Sequence, residues 1–166
     1  MGMTAIRIEL NDRAVVDEVP ARLSLADFLR ERCHLTGTHL GCEHGVCGAC
    51  TVLVDDAPAR ACLMLAVACD QRRVRTIEGF AGDPLMTTLR DSFHRHHGVQ
   101  CGFCTPAMLI SAWDLVRRRG AGSERAIRAG LAGNICRCTG YTNIVTAIAE
   151  AARSAAPRAG GPGDGE

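Results

Sequence analysis

Eight of the chain's ten cysteines fall into two separate sets of four. Cys42, Cys47, Cys50 and Cys62 follow the spacing C-x4-C-x2-C-x11-C. Cys101, Cys104, Cys136 and Cys138 follow C-x2-C, a gap of 31 residues, then C-x-C. No basic region followed by an apolar run opens the sequence, so a secretory leader is not expected. Cysteines used this densely without an export signal point to metal ligation rather than disulfides.

Each set can supply the four thiolates that a [2Fe–2S] cluster takes, and the first spacing is the plant-type ferredoxin pattern. A cluster is rich in electron density, so its loop must wrap close and turn backbone N–H groups inward. Gly41, Gly45 and Gly48 flank the first three ligands, and glycine permits both positive φ and close approach. Four cysteines also suit structural zinc. The first set lacks the paired C-x2-C knuckles of zinc sites, which favours iron. The second set taken alone suits iron or zinc, and its ferredoxin-like neighbour favours iron. Two clusters in one small chain suggest an electron relay.

At 166 residues the chain holds one or two small domains. A domain of roughly 70–80 residues builds a modest core and gains from a staple, which a cluster coupled to folding provides. The formal charge is +1 with thiols neutral. Each oxidised cluster with four thiolates carries a formal −2, which takes the loaded chain to about −3. Aromatic residues make up 4% and no basic patch interleaves with them, so nucleic-acid binding is not expected. No run approaches the ~18 apolar residues of a membrane span. The expectation is a cytoplasmic protein.

There is no dinucleotide fingerprint, P-loop or nucleophile elbow. Cys33 and Cys69 read as structural. Cys69 follows an apolar run as a small buried hydrophobe. Among His94, His96 and His97 only the first and last share a helix face, and a solvated helix end is expected. Arg117–Arg119 close a helix, where positive charge suits the dipole.

Ile6, Ile8 and Leu10 alternate with polar residues as a strand, Asn11-Asp12-Arg13 form a turn, and Ala14–Val19 return as a second strand. Ser24 caps a helix with Asp27 at its third position, and Leu23 and Phe28 form a staple. Leu25, Phe28 and Leu29 share a face. Thr51–Val54 reads as a strand, Asp55–Pro58 as a turn, Ala59–Ala68 as apolar and buried, and Arg73–Thr76 as a last strand. Composition changes near Gly79. Asp83 and Pro84 open a helix carrying Leu85, Leu89 and Phe93. Thr105 and Pro106 open a second that ends at Gly120. Ser123 caps a third that stops near Gly133, and a fourth runs from Thr142 to Arg153. Helix, cysteine loop, helix thus occurs twice, which predicts a four-helix unit with approximate two-fold symmetry. The reading is α+β, with a ferredoxin-like unit over 1–79, a helical [2Fe–2S]-binding unit over 80–154, and a disordered tail over 155–166.

GCEHGVCGACTV at 41–52, QCGFCTP at 100–106 and GNICRCTGY at 133–141 resemble the small iron–sulfur subunit of the xanthine oxidase family of molybdenum hydroxylases. The likeness is to three-subunit bacterial enzymes, including aerobic carbon monoxide dehydrogenase and N-heterocycle hydroxylases, and covers about residues 4–152. It implies an N-terminal β-grasp domain and an all-α C-terminal domain. It also implies that the cluster at Cys101, Cys104, Cys136 and Cys138 adjoins molybdopterin on a large subunit. The cluster at Cys42, Cys47, Cys50 and Cys62 would face FAD on a medium subunit. Gln100 matches a glutamine that contacts the pterin, and the Cys138 region approaches it too. Ala107 departs from the family's usual glycine, which local helix propensity favours if Pro106 starts a helix.

The function expected is that of the electron-transfer subunit of a heterotrimeric oxidoreductase, with a dimer of heterotrimers as the further assembly. Electrons would pass from molybdopterin through two [2Fe–2S] clusters to FAD, with no catalytic residue on this chain. Two rivals are a free-standing two-cluster ferredoxin-like carrier and an assembly scaffold with zinc in the second set.

Overall fold

A computed structural model describes residues 2–120 and 122–155. The expected tail therefore falls outside the described residues, except Ala155, which ends the last helix.

Strands β1 (Met3–Leu10) and β2 (Arg13–Pro20) form an antiparallel hairpin. The turn is tighter than expected. It holds two residues, Asn11 and Asp12, at φ 51° and 64°, the left-handed geometry that matches the twist of paired strands. The Asn11 side chain accepts from Thr76 N at 2.9 Å and donates to Thr76 Oγ1 at 2.9 Å, tying the turn to the end of a later strand. A second such hairpin joins β3 (Thr51–Val54) to β4 (Ala57–Arg60) through Asp55 and Asp56, at φ 48° and 63°. Pro58 sits on β4, an edge strand, where its missing N–H costs no ladder bond.

With β5 (Arg73–Arg75) the sheet order is β2-β1-β5-β3-β4. β1 and β5 are parallel at the centre and the other pairs antiparallel. Parallel neighbours need a crossover, and α1 (Leu25–Asp27) with the turn after it lies within the segment between them. This is the β-grasp arrangement. Ser24 caps α1, accepting from Asp27 N at 3.0 Å and donating to Asp27 Oδ2 at 2.7 Å. The helix then widens into a π turn over Phe28–Arg32, closed by Cys33 N donating to Phe28 O at 3.1 Å, which sequence period alone does not signal. Leu25, Ala26, Phe28 and Leu29 are buried in one core with Ile6, Ile8, Val19, Val52 and Val74.

The segment expected to be apolar and buried over Ala59–Ala68 differs. After β4 come two short 3₁₀ turns, Ala61–Leu63 and Ala66–Cys69, and they leave Leu63 63% and Leu65 45% exposed. Composition reported the apolar side chains but not the turns that face some of them outward.

Four helices follow: α2 (Pro84–Arg95), α3 (Thr105–Arg119), α4 (Glu124–Gly130) and α5 (Thr142–Ala155). Asp83 caps α2 by accepting from Met86 N, and Ser123 caps α4 by accepting from Ala126 N. α4 ends at Gly130, earlier than expected, where a Cβ would come within 2.9 Å of Leu115 on α3. α2 packs along α5, with Ser92 Oγ donating to Ala147 O at 2.8 Å in the buried seam and Arg95 and His96 both engaging Glu150.

The two halves share a seam. Alternation along β3 turns Val52 and Val54 toward the sheet's own core and Leu53, 1% exposed, into the helical core with Met108 and Ala112. Phe80 meets Trp113 edge-on at 5.1 Å, and the Arg75 guanidinium lies 3.8 Å from the Phe80 ring centroid. Trp113 Nε1 donates to Asp83 Oδ1 at 3.0 Å. Leu53→Ala is expected to cost about 2–5 kcal/mol and to reduce amide-exchange protection along α3. Protection lost only within the β3–β4 hairpin would contradict the shared core.

Candidate metal centres

None of the ten cysteines is in a disulfide, and eight gather at two places. The first lies in the loop between the π turn and β3, joined by Cys62 from the 3₁₀ turn Ala61–Leu63. Arg30 Nη1 donates to Thr36 O at 3.0 Å and Thr38 O at 2.8 Å, which bends this loop back on the helix. Glu43, Gly45 and Gly48 then take positive φ, and such alternation turns successive N–H groups to one side as an anion-binding nest. Cys42 Sγ accepts from Cys47 N at 3.3 Å and His44 N at 3.4 Å. These amide donors, with the Cys47 thiol, bring the Cys42 thiol down to about 6. Burial drives Cys50 the other way, up to about 11, with Cys62 and Cys47 as its sulfur neighbours.

The second place joins the α2–α3 loop to the α4–α5 loop. Cys101 Sγ and Cys138 Sγ are 3.4 Å apart and exposed. Cys104 and Cys136 neighbour each other and are less exposed. The Phe103 amide, then Cys138, lowers the Cys101 thiol, while that same bond to Cys101 raises Cys138. Burial pushes Cys104 up to about 12. At Cys136 burial works upward, but the Thr139 hydroxyl at 3.2 Å and amide at 3.4 Å win and lower it. Tyr141 OH accepts from Cys136 N at 2.8 Å.

Within each set the sulfurs neighbour one another: Cys42 with Cys47, Cys50 with Cys62 and Cys47, Cys101 with Cys138, and Cys104 with Cys136 and Cys101. Among the described residues no three His, Cys, Asp or Glu close on a single ion position. A [2Fe–2S] cluster takes four thiolates, shared between its two irons, whereas zinc gathers four around one point. The donor set, with amides aimed at sulfur, fits the two-iron group. Close approach is built in as well: a Cβ at Gly41 would lie 3.2 Å from Cys47 Sγ.

The two loops touch. Ile135 N donates to Cys47 O at 2.8 Å, a backbone bond from the residue before Cys136 to a cysteine of the first set. His39 stacks on Phe103 with ring centroids 4.8 Å apart, and its Nδ1 donates to Phe103 O at 2.6 Å. Gly48 has φ 74°, and a Cβ there would sit 2.1 Å from Gly133 O. Gln100 is exposed beside Cys101.

Cys33 and Cys69 belong to the N-terminal core, with thiols raised by burial. His94 and His97 are exposed, but His96 pairs with Glu150, which the helix-end reading missed. Arg117 lies over Trp113 at 5.0 Å rather than being only solvated. Sequence reasoning also missed Arg60, Asn134, Thr139 and Tyr141 around the cysteine loops. The last three stand inside the third cysteine motif, but no spacing rule marks them.

Cys50 and Cys104, at about 11 and about 12, keep their protons near neutral pH until a metal displaces them. Protons therefore compete with iron, and retention weakens as pH falls. Iron loss to a chelator, followed by visible absorbance, is expected to quicken between about pH 8 and about pH 6. A rate flat across that window would contradict this.

Comparison with known proteins agrees with the geometry. A family profile described as a 2Fe-2S iron-sulfur cluster binding domain matches residues 8–75, and one described as a [2Fe-2S] binding domain matches 76–149. The gamma subunit of caffeine dehydrogenase from Pseudomonas sp. (strain CBB1) is 48% identical over 151 residues, covering 89% of this chain and 90% of that one. The small subunit of nicotine 6-hydroxylase from Paenarthrobacter nicotinovorans is 47% identical, with 88% of each covered. Quinoline 2-oxidoreductase from Pseudomonas putida 86 superposes with TM-score 0.84 at 46% identity, covering 92% of this chain and 98% of that one. Aldehyde oxidoreductase from Desulfovibrio gigas superposes at 0.82 with 36% identity, covering 90% of this chain and 17% of a longer one. The chain belongs to the small [2Fe–2S] iron–sulfur subunits of the xanthine oxidase family of molybdenum hydroxylases.

Proposed function

We propose that this chain relays electrons within a molybdenum hydroxylase, from molybdopterin on a large partner subunit to FAD on a medium one. Cys101, Cys104, Cys136 and Cys138 hold the cluster nearer the molybdopterin, within a unit spanning 80–154. Cys42, Cys47, Cys50 and Cys62 hold the cluster nearer the flavin, within 1–79. Gln100 and the Cys138 region face the pterin. The assembly is a cytoplasmic heterotrimer that can pair into a dimer of heterotrimers. No helix among the described residues is long and apolar enough to cross a membrane.

The observation that carries this reading is the Ile135 N–H bond to Cys47 O. When bound, each [2Fe–2S] cluster supplies a one-electron redox centre. The chain's own residues hold the centres by thiolate, turn amides toward sulfur, and join the two loops by one hydrogen bond. Burial of Cys50 and Cys136 excludes water from the inner sides of both sites.

The need for partners has its own support. Among the described residues eight large apolar side chains are exposed, and six of them lie within three residues of a quartet cysteine: Val46, Leu63, Leu65, Val99, Phe103 and Ile135. Apolar surface gathered in this way marks interaction sites rather than a freely diffusing protein.

The purified complex is expected to contain about four irons per copy of this chain and no zinc in it, with two distinguishable paramagnetic signals on reduction. Cys101→Ser is expected to stop substrate-driven flavin reduction. An unchanged rate would defeat the relay, and a monomer with full activity would favour the free-standing carrier.

A further inference from the structure

Between the two cysteine loops lies a buried amide that ligates nothing. Asn134 is 4% exposed and both its polar atoms are engaged. Nδ2 donates to Gly48 O at 3.1 Å and approaches Thr51 Oγ1 at 3.4 Å, and Oδ1 accepts from Ser111 Oγ at 2.8 Å. Gly48 O can only accept, so it fixes which end of the amide faces it, and the carbonyl end is left to take the Ser111 hydroxyl proton. Arg60 forms a second arm, donating from Nη1 to Thr51 Oγ1 at 2.6 Å and from Nη2 to Gly133 O at 2.7 Å.

These contacts join three bodies. Gly48 follows Cys47 in the first loop, Asn134 comes two residues before Cys136 in the second, and Ser111 rides on α3, which starts after Cys104. Beside them runs the Ile135 N–Cys47 O bond. There is little slack, because a Cβ on Gly48 would fall 2.1 Å from Gly133 O and one on Gly133 would fall 2.4 Å from Arg60 Nη2.

We propose that Asn134, with Arg60 as its second arm, is a positioning residue that sets the separation and coupling of the two clusters. This rests on the relay reading above. Transfer between weakly coupled centres falls steeply with distance and with each through-space gap. The Ile135–Cys47 bond closes one such gap, and it stays closed only while Gly133–Cys136 keeps its register against Cys47–Gly48. Losing the amide removes the donor that the second loop offers Gly48 O, which then keeps Thr51 N and Oγ1 from its own side, and strips the Ser111 hydroxyl of its acceptor, so the tie between the loops loosens and admits water. No quartet sulfur touches the amide, so each cluster can keep its ligands.

Asn134→Asp tests this in the loaded complex. It keeps the side chain's shape and the acceptor for Ser111, but removes the donor and sets a carboxylate against Gly48 O. Iron content and each cluster's own signal are expected to stay as in the wild type. The magnetic interaction between the two reduced clusters is expected to weaken, and inter-cluster transfer after pulsed reduction to slow about tenfold or more. Lower thermal stability with unchanged interaction and unchanged transfer rate would overturn the proposal. If the Asp variant loses iron, Ser111→Ala decides, since it removes the amide's anchor on α3 while leaving the sequence of both loops intact. Slower transfer there supports the proposal, and wild-type coupling overturns it. A wild-type complex without two iron–sulfur signals would sink the relay reading instead, whatever Asn134 does.

Discussion

Gathering thiolates concentrates negative charge, and the rest of this structure depends on how the backbone meets that charge. Positive φ at Glu43, Gly45 and Gly48 turns amides toward Cys42, and a thiol that receives two such donors gives up its proton easily. Cys136 gets the same help from the Thr139 amide and hydroxyl, in spite of being buried. Cys50 and Cys104 receive less and sit deeper, so their thiols move upward. Each quartet thus combines a sulfur that ionises readily with one that ionises only when metal arrives. A site of this kind is incomplete without its metal, which suits small cores whose folding is coupled to loading.

Neither core is large, and the seam compensates. Leu53 belongs by sequence to the sheet and by packing to the helices. The Arg75 guanidinium against Phe80, and Trp113 bonded to the cap residue of α2, tie the last strand to the first two long helices. An aromatic pair of this geometry adds about 0.5–1.5 kcal/mol beyond its buried area. More important for function is that the seam and the cysteine loops lie on continuous elements. β3 starts directly after Cys50, and α3 directly after Cys104. Rigid packing of β3 on α3 therefore holds the loops that precede them.

What the sequence disclosed was what local chemistry encodes. The caps at Ser24, Asp83 and Ser123, the proline that opens α2, and the alternation of Ile6, Ile8 and Leu10 each involve neighbours a few residues apart, and each folded as the pattern implies. The cysteine sets were legible because spacing within a motif is local too. Asn134 was not, because its meaning lies in Gly48, 86 residues away. His96 and Glu150 are likewise 54 apart and meet only through the packing of α2 on α5. Leu63 and Leu65 were misread for a related reason. Apolar composition implies burial only if something is present to cover the side chain, and among the described residues nothing covers these two.

The pattern of exposure suits the proposed use of the two sites in series. Cys101 and Cys138 face outward beside Gln100, and Cys104 and Cys136 are less exposed. The residue before Cys136 is the one that reaches the first loop, at Cys47. On the proposed relay, an electron entering at the exposed pair would meet the covalent and hydrogen-bonded route to the first quartet on the inner side, beside the buried Cys136. Were the two sites independent, each serving its own partner, the close contact of Gly48 with Gly133 and the buried Asn134 between them would serve only to join the halves, and their desolvation and backbone cost would be set against stability alone. A relay gives that cost a purpose, since coupling between the two loops is the one property that neither quartet can supply alone.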